Sequence, residues 1–398
     1  MTIVELRGDW ENRRQSRLSR QSKVLIRQQS SIDQSEICNR RVHTPKRTGL
    51  FLILLVGLAS GSAHLLAQTS RFLALTPGFP LWAYGYKTPP AAPDDWSVKC
   101  PGNTPRDCDR PGGMPSDTSG NRLSLAGSDR TFTVAEITSP YSPADWFPGD
   151  HPPMPDIVAH GKQATRFRAC AICHYPNGLG LMQNAPVAGL PVDYFLRQIA
   201  DFANGKRKSA DINKANAWEM AAMARNLTPE EARASAEYFA SIPFKPWNRV
   251  VESETVPRFT ATVNGLFLKA EGAETEPLGR RLVEMPEDTY QSNMLRNPRS
   301  GMVVYAPVGS LQAGEALVKT GGEGRTQACG TCHGPELKGT ALAPPIAGRQ
   351  PGYLARQMYD MQQGTRNGDL AKTMKPAVEK LTEDDLIAIS AYVASLRP

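Results

Sequence analysis

The sequence predicts two tandem all-α domains, with a Pro-rich extension ahead of the first and an irregular, partly β insertion between them. Three observations lead there. The cluster Cys-x-x-Cys-His occurs twice, as Cys170-Ala171-Ile172-Cys173-His174 and Cys329-Gly330-Thr331-Cys332-His333. Shifted by 159 residues, Cys170 to Gly205 aligns without a gap on Cys329 to Gly364, with thirteen identities in thirty-six positions. Each copy closes on a capped, amphipathic helical pattern.

The cluster reads as a covalent c-type haem attachment site. Cysteines three apart lie on one side of a helical turn, so both sulfurs reach the vinyl edge of one haem. The following histidine then turns its imidazole to the iron as proximal ligand. Two haem c groups are expected, on Cys170, Cys173 and His174 and on Cys329, Cys332 and His333. A structural zinc site needs four ligands, and no further Cys or His lies near either cluster. A thioredoxin-like pair needs a βαβ context, and no Val/Ile-rich strand pattern surrounds either copy.

Taken in order, residues 1–49 form a basic tail and 50–67 a signal peptide or membrane anchor. Leu50 to Ala59 (LFLILLVGLA) is an apolar run of signal-peptide length behind Lys46 and Arg47. Gly61 and Ala63, or Ala67, are the candidate cleavage positions, and an uncleaved anchor is the alternative. The tail is longer than an ordinary leader. It reads either as a cytoplasmic segment or as sequence ahead of a start near Val42. Eleven basic and five acidic residues in 1–49 supply six of the seven net positive charges. The remainder is near neutral, which excludes nucleic-acid binding by a basic surface. Membrane contact is expected only through an uncleaved N-terminal segment.

Residues 68–155 are the extension, rich in Pro, Gly and Asp, and read as a segment that wraps a neighbouring domain or stays mobile. Leu81-Trp82-Ala83-Tyr84-Gly85-Tyr86 is expected to anchor it, with partner docking as the alternative. Cys100 and Cys108 lie close enough in sequence for a disulfide, or stand as two thiols; Cys38 is single. Residues 156–243 form the first domain. Asp156 is expected to cap an entry helix that includes Gly161. Thr228-Pro229-Glu230-Glu231 opens its last helix. Residues 244–308 form the insertion, where Val250, Val251, Val256, Phe259, Val263 and Val303-Val304-Tyr305 suggest short strands. Residues 309–398 form the second domain, with Ser310 capping an entry helix and Thr382-Glu383-Asp384-Asp385 opening the last one.

The repeat selects a sixth ligand. After Arg207/Arg366 the second copy is five residues shorter and the offset becomes 154. Met220 then falls on Met374, Thr228 on Thr382 and Tyr238 on Tyr392. Met358 and Met361 face Ile199 and Phe202 in register, and Met223 faces Ala377, so these read as core. Met182 lies only eight residues after His174. Methionine opposite histidine raises a haem potential. Arg207 and Arg366 read either as propionate partners or as solvated side chains.

The sum of these features, a Gly-bearing entry helix, Cys-x-x-Cys-His, a proline twelve residues later within Pro-x-Ala-Gly, a late methionine and a closing helix with tyrosine, resembles class I cytochromes c. The tandem arrangement resembles the dihaem periplasmic cytochromes c, over roughly 175 of 398 residues. The resemblance implies that the carbonyls of Pro186 and Pro345 accept the Nδ1–H bond of the proximal histidines. It implies that Gly161 packs on Tyr238, and Gly314 on Tyr392. It implies periplasmic electron transfer with His/Met-ligated haems, no substrate site, and redox partner proteins (a dehydrogenase, an oxidase or another cytochrome). The alternatives are a cytochrome subunit of a dehydrogenase, or a dihaem enzyme of the peroxidase or thiosulfate dehydrogenase type. The long insertion and the extension depart from that family.

Overall fold

A computed structural model describes residues 78–87, 119–181, 183–212, 214–262 and 265–398. The tail, the apolar run, Cys38, the Cys100/Cys108 pair, Met182 and Val263 lie outside the described residues.

The first domain is built from α1 (Cys170–His174), α2 (Val192–Ala203), α3 (Ala215–Ala224) and α4 (Pro229–Ala240). α4 starts where its sequence dictates. The Thr228 hydroxyl accepts from the Glu231 amide while Glu231 reaches back to the Thr228 amide, and Pro229 needs no hydrogen-bond acceptor in the first turn. Its buried face, with Ala236 and Phe239 at its centre, meets Tyr194, Phe195 and Ile199 of α2 in one core. The expected entry helix is reduced to a single turn, Asp156–Ala159, whose N-cap is Pro155 rather than Asp156. Gly161 is not on a helix. It adopts φ +63° in a tight turn against Phe167, a conformation that favours glycine, so its expected packing on Tyr238 is corrected. Tyr238 instead donates to the carbonyl of Pro176 at 2.6 Å.

The insertion supplies the β-structure. β1 (Asn248–Glu252) runs parallel to β3 (Met302–Ala306), and β2 (Val283–Pro286) pairs antiparallel on the far side of β3. Val250 faces Val304, and Val251 faces Tyr305, across the parallel pair. Short hairpins between β1 and β2 add a small core of Val256, Phe259, Phe267 and Leu278. Glu284 of β2 is fully buried. Its Oε2 accepts one long hydrogen bond, 3.4 Å, from the Gly352 amide, and among the described residues Oε1 has no partner. Burial pushes this carboxyl up to about 7, against the opposing pull of Arg356. The folded chain therefore holds a proton that the unfolded chain has released between about pH 4.5 and 7, so stability falls as pH rises through that window and is flat above it. Glu284→Gln is expected to abolish the slope and to stabilise the protein at pH 8 by on the order of 2–4 kcal/mol. Urea unfolding of both forms at pH 5 and pH 8 measures it; parallel pH dependences would remove Glu284 as the cause.

The second domain contains α5 (Ser310–Thr320), α6 (Gly330–His333), α7 (Pro351–Gln362) and α8 (Glu383–Ser395). The N-cap of α5 is Gly309, with Ser310 its first helical residue. α8 opens with the Thr382/Asp385 capping box, and its acidic first turn complements the helix dipole. Of the face its period predicts, Leu386, Ile389, Val393 and Leu396, α8 buries the first three, while Leu396 is its half-buried C-cap; Ile387 and Ala391 are buried as well. It lies between α5 and α7 on one side and β1 and β3 on the other, so nearly its whole circumference is covered. α5 crosses α8 at Gly314, against Ala388 and Tyr392.

The extension wraps both domains. Leu81–Tyr84 forms a 3₁₀ turn with Trp82, Ala83 and Tyr84 buried in the second domain's core. The Tyr84 hydroxyl donates to Asp360 at 2.6 Å, and Arg356 of α7 donates to the Ala83 carbonyl at 2.6 Å. This segment is thus an anchor and not an open docking patch. Farther on, Trp146 Nε1 donates to the Leu295 carbonyl at 2.7 Å, tying the extension to the insertion.

The internal repeat becomes a pseudo-twofold interface. Arg207 donates to Gln198 (2.9 Å) in its own domain and to Tyr353 (3.0 Å) and Gln357 (2.9 Å) in the other. Arg366 mirrors it, donating to Gln357, Tyr194 and Gln198, each at 2.9 Å. The two arginines also form a backbone bridge. A residue i that meets j while the copy of j meets the copy of i is the signature of a two-fold contact. Both arginines are buried, so neither is the solvated side chain that one reading of the sequence allowed.

Candidate functional site

In the first domain a cleft encloses about 1350 Å³ of atom-free space, its mouth included. Cys170, Cys173 and His174 lie on one wall, and Met220, Met223 and Leu227 line it from α3 and the loop beyond. Tyr353, Arg356 and Gln357 of the second domain also line it, so it opens onto the domain interface. The predicted ligand pair His174 and Met220 is brought to one cavity by α1 and α3. Met223, one turn beyond Met220, lines the same cavity, so geometry alone does not choose between them.

Each histidine is oriented by its ring nitrogen. His174 Nδ1 lies 2.9 Å from the carbonyl of Ala185, and His333 Nδ1 lies 2.8 Å from that of Pro344. In the Nδ1–H tautomer both donate, and each Nε2 lone pair is free to bind a metal. The expected acceptors Pro186 and Pro345 are thereby corrected by one residue. The amide preceding each proline has no N–H, and its oxygen belongs to the residue before the ring. The carbonyls of Pro186 and Pro345 point elsewhere, to Arg349, at 2.8 Å each. Burial holds both imidazoles below the ordinary histidine range, so they are neutral at neutral pH.

The thiols of Cys170, Cys173 and Cys329 are poor nucleophiles as they stand. Burial pushes Cys170 up to about 12 and Cys329 up to about 11, and it raises Cys173. Among the described residues no group of three or more His, Cys, Asp or Glu gathers in a metal-binding arrangement. Two protonated thiols and a neutral imidazole beside an apolar cleft fit a haem held by thioethers. When bound, the haem supplies a one-electron couple at its iron.

In the second domain His333 is buried and its Nδ1 partner matches that of His174. Met374 ends the 3₁₀ turn Ala371–Met374 and packs on the core that holds Leu354, Ala355 and Val378; Met361 is buried in that core and Met358 packs against it.

The two attachment helices differ in their covering. Ala171 and Ile172 are buried, Ile172 to 5% exposure. The Ala169 amide donates to Pro140 of the extension, and Arg296 of the insertion donates to the Ile172 carbonyl at 3.2 Å. In the second copy Thr331 and Cys332 are exposed, and Leu342, whose amide donates to the Thr340 hydroxyl that in turn donates to the Cys332 carbonyl, is 70% exposed. Sequence reasoning missed Arg296 and Arg349, since neither is paired by the repeat.

Two helical domains, each presenting a Cys-x-x-Cys-His turn with an oriented neutral histidine, define a covalent haem-binding protein. The family model for cytochrome c matches residues 158–243 and 312–397. Cytochrome c-554(548) of Halomonas halodenitrificans is 32% identical over 84 residues, which cover 21% of this chain and 98% of that protein. Cytochrome c4 of Pseudomonas aeruginosa is 26% identical over 231 residues, 57% of this chain and 83% of that one. A protein of Stutzerimonas stutzeri named thiosulfate dehydrogenase electron acceptor is 23% identical over 243 residues, 60% of this chain and 84% of that one. The chain belongs to the cytochrome c family, as a dihaem member with two class I domains and two covalently bound haem c groups. Its function is electron transfer.

Proposed function

We propose that this protein is a periplasmic electron carrier whose haems are attached at Cys170 and Cys173 and at Cys329 and Cys332, with His174/Met220 and His333/Met374 as axial pairs. The observation that carries this reading is the matched pair of histidines, each with Nδ1 spent on a backbone carbonyl 11 residues on and Nε2 left for iron. Register supports Met220 over Met223, because Met223 has Ala377 opposite it. The protein's part is to orient the imidazoles, keep water from the irons and fix the two domains face to face. No residue is asked to bind a substrate. The exported protein should carry two covalent haems by mass and show the weak far-red sulfur-to-iron band at an intensity for two methionine-ligated haems. One haem's worth of that band would favour a dihaem enzyme with an open iron.

The partner is a redox protein, and the relative named thiosulfate dehydrogenase electron acceptor supports a dehydrogenase as donor. Electrons are exchanged with it at the second domain, whose attachment turn is open, while the extension and Arg296 cover the first. Leu342→Asp is expected to slow reduction by the donor at least several-fold and to leave both potentials unchanged. Stopped-flow kinetics measures it, and an unaltered second-order rate would place the contact elsewhere. Among the described residues no helix is long and apolar enough to cross a membrane. An uncleaved segment within 50–67 is the proposed alternative to release into the periplasm.

A further inference from the structure

Arg349 is a buried cation, 2% exposed, and among the described residues it donates to three backbone carbonyls and to no carboxylate. Nε donates to Pro345 at 2.8 Å, Nη1 to Pro186 at 2.8 Å and Nη2 to Ala188 at 3.0 Å. Its guanidinium also stacks 4.4 Å from the Phe244 ring centroid. Burial lowers it only to about 10, so it stays charged at neutral pH. A buried guanidinium with no carboxylate partner is costly unless its position serves something.

Its position is specific. Pro186 and Pro345 each follow directly the residue whose carbonyl holds a proximal histidine, Ala185 for His174 and Pro344 for His333. One side chain therefore grips the peptide next to both histidine acceptors, in two different domains. The repeat does not duplicate it: position 190, its counterpart, is a buried leucine. The fork geometry of arginine is what permits this, since a lysine offers a point charge without fixed parallel donors.

We propose that Arg349 is a positioning residue for both haems: it locks the two proximal loops to each other, and its charge raises the two reduction potentials together. This rests on the reading of His174 and His333 as proximal ligands. A fixed positive charge favours the reduced iron, which carries one positive charge fewer. A break in the grip loosens both Nδ1–H bonds, which tune ligand basicity.

The test uses the full holoprotein with Arg349→Gln and Arg349→Lys. In Arg349→Gln both haems should become harder to reduce, each reduced-to-oxidised ratio at fixed potential falling on the order of tenfold, about 59 mV per one-electron couple. Arg349→Lys keeps the charge, should fold, and should hold both potentials near the parent values. It loses the fork, so the paramagnetic NMR shifts of both axial imidazole rings should move. If Arg349→Gln does not fold, the Arg349→Lys spectrum decides alone. In Arg349→Lys, movement of the His333 ring only would confine Arg349 to its own domain and overturn the proposal, as would two unmoved rings; in Arg349→Gln, unmoved potentials would overturn it. Failure of the ligand reading itself would show separately, in the parent protein, as histidine ring protons without paramagnetic shifts.

Discussion

Met374→Ala is expected to leave both haems attached while lowering one reduction potential by on the order of 0.2 V, a fraction of the ~0.8 V over which axial ligands set haem potentials. Attachment depends on Cys329 and Cys332, which the substitution does not touch. The methionine sulfur favours reduced iron, so its loss favours the oxidised form. The same iron should then bind added cyanide or imidazole, and half of the far-red sulfur-to-iron band should vanish. A redox titration followed by a ligand-binding spectrum measures both. Two unchanged potentials would show that Met374 is core packing, the role that its neighbours Met358 and Met361 play.

Gly314→Val is expected to destabilise the second domain by about 3 kcal/mol or more, and it carries the largest effect on folding. A Cβ at Gly314 would collide with the Ala388 carbonyl and lie 2.7 Å from Tyr392 Cβ. Both obstacles are on α8, itself held between α5, α7 and the sheet, so it has no room to retreat. Overpacking that forces backbone to shift costs ~1–3 kcal/mol, and more where the neighbour is another helix backbone with no freedom. Denaturant unfolding measures the loss. Gly161→Val is the useful contrast. It should also destabilise, but within its own turn, through φ +63° and a Cβ that would meet the backbone of Phe167, Arg168 and Ala169, with the α4 packing around Tyr238 retained. The two positions aligned in function by resemblance are therefore separable by experiment.

Much of the site was legible because it is encoded by short-range chemistry. Cys170, Cys173 and His174 lie within one helical turn, and so do Cys329, Cys332 and His333. Thr228 and Thr382 cap their helices through residues three positions away. The illegible parts depend on groups far apart in sequence. Arg207 meets Tyr353 across 146 residues, and Arg349 meets Pro186 across 163. The repeat held a usable signal for the first of these, since Tyr194, Gln198 and Arg207 recur together as Tyr353, Gln357 and Arg366. No comparable signal existed for Arg349, which interrupts the repeat.

By itself the sequence determined the cofactor, the two tandem haem domains and the starts of the two closing helices at Thr228 and Thr382. Covalent attachment, capping and periodicity all operate within a few residues, where spacing translates directly into geometry. Only the tertiary structure decided which carbonyl holds each histidine, because an amide oxygen's direction is set by the backbone path through the turn and not by residue type. It also decided that the first domain's entry helix shrinks to Asp156–Ala159, and that the extension and insertion cover one attachment turn and leave the other open. Those outcomes follow from which surfaces meet, and burial is won by the whole chain at once rather than by any one segment.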